Sequence, residues 1–95
     1  MTLITDAKEL LKSCQGTEES IYDLVSFCTC HEDFATIQNL LERVPKMTEE
    51  CHEMVHSLLA NEPSSKTYEL RNNLRRMSLR LEAAIMYAKN YFKLN

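Results

Sequence analysis

Apolar residues recur at alternating steps of three and four through the middle of this chain, and they keep that phase across Pro45. Such spacing places its members on one stripe of an α-helix, the a and d positions of a heptad repeat. A new helix starting at the proline would not need to preserve the phase, and Val44 would be a poor N-cap. We therefore predict one helix over residues 30–61, kinked at Pro45 where the hydrogen bond to the Leu41 carbonyl is lost. This seam comprises Phe34, Ile37, Leu41, Val44, Thr48, Cys51, Val55 and Leu58.

The segments on either side contain seams of the same kind. The first comprises Leu3, Ala7, Leu10, Cys14, Thr17, Ile21, Leu24 and Cys28. The last comprises Leu70, Leu74, Met77, Leu81, Ala84, Ala88 and Tyr91. Thr29 and Glu32 have capping-box spacing, which predicts the start of the second helix, and Ser64 or Ser65 caps the third. Gly16 followed by Thr17 and two glutamates is also a stop-and-cap signal, so a break of the first helix at Gly16 stays open.

The chain contains a single glycine among its 95 residues. Sheets need glycine in their turns, so the composition predicts an all-α protein. Helices over about 2–28, 30–61 and 65–93, joined by short turns, predict an antiparallel up-down-up three-helix bundle forming one domain over residues 1–95. The missing glycine-rich nucleotide loops and nucleophile elbows argue against an enzyme, so we expect no cofactor and no catalytic residue.

Cysteine and histidine residues fall into two groups, one at residues 28–31 and one comprising Cys51, His52 and His56. In the predicted bundle these groups lie about 30 Å apart, whereas zinc needs four converging ligands. We therefore predict no metal site. A cysteine nucleophile would need a histidine base in an exposed cleft, and the interior of a helical bundle is dry.

Cys14 and Cys51 fall at similar depth on neighbouring helices, which predicts that they are neighbours in the core. The chain begins without the uninterrupted apolar stretch of a signal peptide, so we expect reduced thiols and a cytoplasmic location; the spacing does not imply a disulfide. No stretch approaches the roughly 20 apolar residues of a membrane span.

Charge is distributed unevenly along the chain. Residues 1–30 carry five acidic and two basic side chains, residues 31–63 carry seven and two, and residues 64–95 carry two and seven.

Two interpretations follow for the four arginines clustered on the third helix. They bind an acidic ligand such as a phosphoinositide headgroup, with peripheral membrane contact, or they pair with the two acidic helices, which the charge balance favours. We expect no nucleic-acid binding, because the whole chain is acidic and no aromatic residues alternate with the bases. The cluster comprises Arg71, Arg75, Arg76 and Arg80.

Apolar residues also occur on the side of the third helix that faces away from its seam. Leu79, Ala83 and Met86 are spaced i, i+4 and i+7 there, and Tyr22 on the first helix is also expected to point outward. A three-helix bundle has nothing to pack on that side. We predict a binding surface for a partner helix or a ubiquitin-like apolar patch. The alternatives are scattered exposed apolar residues without a partner, and a homodimer formed through the same stripe.

The stretch EDFATIQNLLERVPKMTEECHEMVHSLLANE, followed by YELRNNLRRMSLRLEAAIMYAKNYF, resembles the last two helices of GAT domains. GAT domains are three-helix modules of endosomal and Golgi sorting adaptors, and they usually carry Asn-Asp where this chain has Asn72-Asn73. The resemblance implies a protein-transport adaptor that binds ubiquitin through shallow apolar patches, or coiled-coil or GTPase partners. A second segment, ELRNNLR at residues 69–75, is similar to one in the N-terminal three-helix domains of syntaxin-type SNAREs.

Overall fold

The computed structural model describes residues 2–27, 34–61 and 64–92, and these residues form three α-helices with no strand among them. Helix α1 spans Leu3–Phe27, α2 spans Phe34–Asn61 and α3 spans Ser65–Phe92. Every helix packs against both of the others. The predicted all-α three-helix bundle is therefore confirmed. The capping box predicted at residues 29–32 lies outside the described residues.

Helices α1 and α3 run in the same direction. Glu18 contacts Arg80, and further along both helices the ring of Tyr22 contacts the ring of Tyr87. Residue numbers therefore increase together along this pair, as an up-down-up arrangement requires.

Helix α2 runs in the opposite direction. Its His52 reaches Ser78 on α3, whereas the earlier Pro45 lines a groove with the later Met86. Numbers that rise on one helix and fall on the other define an antiparallel pair. The bundle measures 47 Å along its longest axis, which matches helices of about 28 residues at about 1.5 Å per residue.

The predicted seams form the core. Their buried members are Ala7, Cys14, Thr17, Ile21, Val44, Thr48, Cys51, Val55, Leu58, Leu70, Leu74, Met77, Leu81, Ala84 and Ala88. Val25 and Met47 are buried beside them and widen the stripe, as a three-helix bundle requires. Tyr91 was placed in the α3 seam, and this prediction is wrong: 56% of the residue is exposed. Its ring packs edge-on against Phe92, and Phe92 is the aromatic residue that packs on the core at this end of α3.

Helix α2 continues through Pro45 without interruption. Val44 before the proline and Thr48 and Cys51 after it are all buried, so the seam keeps its phase on either side of Pro45. The Thr48 hydroxyl donates a hydrogen bond to the Pro45 carbonyl at 2.9 Å, which satisfies this polar seam residue within its own helix. The continuity predicted from the sequence is confirmed, while the bend itself stays a prediction.

Helix α1 likewise continues through Gly16, which settles the alternative that the sequence left open. Thr17 does not cap a new helix. Its hydroxyl donates instead to the carbonyl of Ser13 at 3.1 Å, one turn back in the same helix. The buried Thr17 therefore belongs to a helix interior.

Hydrogen bonds at the first residues of α1 and α3 explain where these helices begin. The Thr5 amide donates to the Thr2 hydroxyl at 3.1 Å, which makes Thr2 the N-cap of α1. The carbonyl of Ser64 accepts from the amide of Thr67 at 3.2 Å and from its hydroxyl at 3.0 Å. Ser64 therefore precedes the first turn of α3, as the sequence predicts.

Replacing Gly16 by alanine should stabilise the bundle. A Cβ at this exposed helical position meets no atom within 4 Å, and alanine is favoured over glycine inside a helix by about 1 kcal/mol. We expect Gly16→Ala to raise the free energy of unfolding by about that amount, measured by urea denaturation and circular dichroism. Gln15→Ala, at the exposed neighbouring position, should change it by less than about 0.5 kcal/mol. A destabilised Gly16→Ala protein would contradict a continuous α1.

Replacing Pro45 by alanine should also stabilise the protein. The substitution restores an amide that can bond to the carbonyl of residue 41, at an exposed position inside a helix. Proline destabilises a helix interior by about 3 kcal/mol relative to alanine, but it also lowers the conformational entropy of the unfolded chain, which offsets part of this cost. We therefore expect Pro45→Ala to raise the free energy of unfolding by about 1–2 kcal/mol. Thermal and urea unfolding measure it, with the exposed Lys46→Ala as control. A loss of stability would indicate that the backbone at Pro45 is not helical.

Candidate partner-binding surface on the third helix

The outward side of α3 carries a row of exposed apolar side chains. Leu79 is 67% exposed and Met86 is 64% exposed, and Ala83 is exposed between them. Tyr87 follows Ala83 by four residues and is half exposed, so it extends the same row. We call Leu79, Ala83, Met86 and Tyr87 the α3 face.

Tyr22 joins this face from α1. Its ring lies 5.7 Å from that of Tyr87, centroid to centroid, with the planes inclined by 44°. Tilted aromatic pairs of this kind are attractive in addition to the apolar area they bury. The four residues predicted for partner binding are therefore brought onto one side of the bundle, and Tyr87 is the link between Tyr22 and the rest.

On its other side the α3 face borders a groove between α2 and α3. The groove encloses about 350 Å³ and is lined by Val44, Pro45, Thr48, Glu82, Ile85 and Met86. Pro45 contributes a ring and no backbone donor, and the Thr48 hydroxyl is already bonded to a carbonyl. Most of the lining is thus apolar, and Met86 belongs to both the groove and the α3 face.

The four arginines predicted as a cluster have different surroundings. Arg80 binds Glu18 through two hydrogen bonds, from Nε at 2.9 Å and from Nη2 at 2.6 Å. The Glu18 side chain is 9% exposed, whereas that of Arg80 is 59% exposed. This bidentate pair fixes the position of α1 along the axis of α3 and neutralises a buried carboxylate.

Arg71 lies half-buried at the other end of the cluster. Its guanidinium lies 5.8 Å from the centre of the Tyr68 ring, a cation–π contact. Its Nε atom is buried and has no hydrogen-bond partner among the described residues. Arg71 is therefore partly withdrawn from solvent and poorly placed to meet a ligand at the α3 face.

Arg75 and Arg76 are exposed, and neither forms an ion pair with a carboxylate of the described residues. Arg75 makes one long contact of 3.4 Å to the side-chain oxygen of Asn72. Among the side chains that the structure describes, Arg80 and Glu18 form the only ion pair. The expected pairing of the basic helix with its acidic neighbours therefore holds at one arginine, and two positive charges remain beside Leu79.

Potential ligands for a metal ion stay dispersed in the described part of the chain. No three His, Cys, Asp or Glu side chains there come close enough to share an ion. His52 is exposed, and its Nε2 lies 3.4 Å from the buried Ser78 hydroxyl. The group at residues 28–31 lies outside the described ranges.

Among the described helices, none has the length and apolar content needed to cross a membrane.

With this geometry in view, comparison with protein-family models, curated proteins and solved structures returns no significant match to the chain. The class that the fold and surface define is a small antiparallel three-helix bundle with an apolar, partly basic outer face on its third helix.

Tyr87 was missed by the sequence reasoning, although its spacing of eight residues from Leu79 places it on the same face. Its contact with Tyr22 had no signal in the sequence, because the rotation of α1 against α3 determines it. Leu59 and Tyr68 are further exposed apolar residues that the sequence did not single out.

Replacing Arg80 should destabilise the bundle even though Arg80 itself is largely exposed. Arg80→Ala leaves the Glu18 carboxylate buried without its partner, so we expect a loss of about 1–3 kcal/mol in the free energy of unfolding. Arg76→Ala, which breaks no ion pair, should cost less than about 0.5 kcal/mol. In a double-mutant cycle, Glu18→Gln should remove most of the penalty of Arg80→Ala. Additive effects of the two changes would indicate that the contact contributes nothing.

Proposed function

We propose that this chain is a non-enzymatic protein–protein interaction module whose α3 face binds an amphipathic helix of a partner protein. The observation that carries the proposal is the exposure of Leu79 and Met86 in one row, with the Tyr22–Tyr87 pair beside it. Contiguous exposed apolar patches on small domains commonly mark interaction sites.

The shape of the surface favours a helix as the ligand. From Leu79 to Met86 the row follows the axis of α3 for about 10 Å, and the groove at Pro45 runs beside it. An amphipathic helix presents apolar side chains with the same i, i+3, i+4 and i+7 spacing and can place them in such a groove. Met86, shared by the groove and the row, is flexible enough to adapt to different partners.

The charges around the surface favour an acidic helix. Arg75 and Arg76 lie at one end of the row, unpaired with any carboxylate in the described part of the chain, and Lys89 lies beyond the other end. Glu82 is the acidic residue between them. Carboxylates flanking the apolar positions of a partner would meet these cations and set its orientation.

The same charges disfavour a second copy of this chain as the partner. If two α3 faces packed antiparallel with Leu79 opposite Met86, Arg76 of one copy would lie opposite Lys89 of the other. Parallel packing would bring the arginines of both copies together. Like charges in an interface oppose association, so we infer that the occupant is a different, acidic chain.

The cellular setting that we propose is a cytoplasmic adaptor in protein transport, which rests on the likeness of the second and third helices to GAT domains. A ubiquitin-like apolar patch is the second protein ligand that this likeness implies. The two exposed arginines also fit an anionic lipid headgroup, and this alternative is distinguished in the experiment below.

A display library of randomised amphipathic helices, selected against the full chain, tests the function. We expect the enriched sequences to place Asp or Glu beside their apolar positions. Leu79→Asp and Met86→Asp should each weaken binding of an enriched peptide by more than about tenfold, the usual loss for an apolar anchor at an interface. Leu59→Asp serves as the matched control, because this leucine is also exposed but lies on α2. Fluorescence anisotropy measures the affinities, and circular dichroism confirms that each variant folds.

Three results would contradict the proposal. Peptide binding that is equally strong in Leu79→Asp and in wild type would remove the α3 face as its site. Binding to phosphoinositide vesicles that survives Met86→Asp and is lost on Arg75→Glu with Arg76→Glu would favour a lipid ligand. Concentration-dependent dimerisation in sedimentation equilibrium, abolished by Met86→Asp, would favour a second copy.

A further inference from the structure

Cys14 and Cys51 bring two thiols together in the core between α1 and α2. Their Sγ atoms lie 3.7 Å apart and share a hydrogen bond, and both cysteines are free. Cys14 is 0% exposed and Cys51 is 1% exposed. The sequence predicted that they are core neighbours. The distance between their sulfur atoms is short enough for a disulfide to form when they are oxidised.

A disulfide at this position requires a small movement. Bonded sulfur atoms lie about 2.05 Å apart, so the two Sγ atoms must approach by about 1.7 Å. Each sulfur lies one rotatable bond from its helix backbone, and small rotations of both side chains, with slight adjustment of the helices, bring the atoms together. Neighbouring positions on two facing helices thus favour bond formation within one chain.

A groove with acidic residues in its lining lies between α1 and α2, next to the residues that flank the two thiols. It encloses about 320 Å³ between α1 and α2 and is lined by Asp6, Leu10, Glu50, Glu53, Met54 and Ser57. Leu10 lies one turn before Cys14, and Glu50 is adjacent to Cys51. Moreover, α1 packs less extensively on α2 than on α3. A local separation of α1 from α2 would extend the groove as far as the two sulfur atoms and let a small oxidant reach them.

We propose that Cys14 and Cys51 are a redox modification site, which a hydroperoxide converts into a disulfide joining α1 to α2. The modification closes a loop between residues 37 positions apart and fastens the helix pair that packs least extensively. This site is independent of the α3 face.

The hydrogen bond between the thiols, together with the Glu50 carboxylate next to Cys51, favours one order for the two steps. The hydrogen bond lowers the pKa of Cys14, whose thiolate the Cys51 thiol stabilises by donating to it. The same bond, together with burial and the nearby Glu50 carboxylate, raises the pKa of Cys51. Cys14 is therefore the thiol that becomes the nucleophile towards the oxidant.

Hydrogen peroxide oxidises the thiol pair in two steps. The Cys14 sulfur attacks one peroxide oxygen, an S–O bond forms, the O–O bond breaks, and the leaving hydroxide takes the Cys14 proton and departs as water. The Cys51 sulfur then attacks the Cys14 sulfenic acid. The S–S bond forms, the S–O bond breaks, and the second water leaves with the Cys51 proton. Two electrons pass from the sulfurs to the peroxide.

The experiment treats a Cys28→Ser, Cys30→Ser variant with hydrogen peroxide and maps its peptides under non-reducing conditions. Removing these two cysteines makes the result unambiguous, because no Lys or Arg separates residues 13–42 and trypsin leaves Cys14 on the same peptide as residues 28 and 30. We expect one peptide pair linked through Cys14 and Cys51, lighter by two hydrogens and separated by dithiothreitol. We also expect the thermal unfolding midpoint to rise by roughly 5–20 °C.

Cys51→Ser on the same background is the matched control and should show neither the link nor the rise. If the double serine variant fails to fold, wild type cleaved after Glu18 and Glu19 separates the Cys14 peptide from the other cysteines. Two thiols that remain free to alkylation after peroxide treatment would overturn the proposal. So would oxidation of each cysteine separately to sulfinic acid, links between different chains only, or a linked protein that unfolds at a lower temperature.

Discussion

Burial of one apolar stripe on each helix is the constraint on which the rest of this structure depends. Leu74, Met77 and Leu81 of α3 are essentially inaccessible between α1 and α2. Burying such side chains contributes about 1.5–3 kcal/mol each, so a few of them outweigh the roughly 3 kcal/mol by which Pro45 disfavours the interior of α2. This energetic balance keeps α2 continuous through a residue that usually ends a helix. It thereby also preserves the division of α2 into an inner and an outer face.

Three buried polar residues, Thr17, Glu18 and Thr48, are satisfied in ways that leave the outer face free. Thr17 and Thr48 donate to carbonyls of their own helices, and Arg80 neutralises the buried Glu18 carboxylate. Arg80 is thereby committed to the fold. The cationic character available to a ligand comes from its neighbours Arg75 and Arg76, which adjoin the apolar row. On α3, Arg80 thus stabilises the fold, whereas Arg75 and Arg76 remain available to bind a ligand.

The α3 face and the thiol pair lie in different parts of the bundle and obey different physical requirements. Leu79 and Met86 can serve recognition because the core does not need them. Cys14 and Cys51 are part of the core, so their reactivity depends on local opening between α1 and α2 and on the 3.7 Å between their sulfurs. A disulfide would act on the packing of the bundle, whereas a ligand on the α3 face would leave that packing unchanged.

The sequence by itself determined the helices, their buried stripes and the exposure of Leu79 and Met86, because the phase of a helix is a local property that 3.6-residue periodicity reports. It allowed Cys14 and Cys51 to be placed at one depth, although the distance between them was not accessible. The tertiary structure alone decided that Tyr22 meets Tyr87, that Arg80 is the paired arginine and that Tyr91 is exposed. Each of these depends on how far one helix is rotated and shifted against another, and no pattern within a single helix encodes that relation.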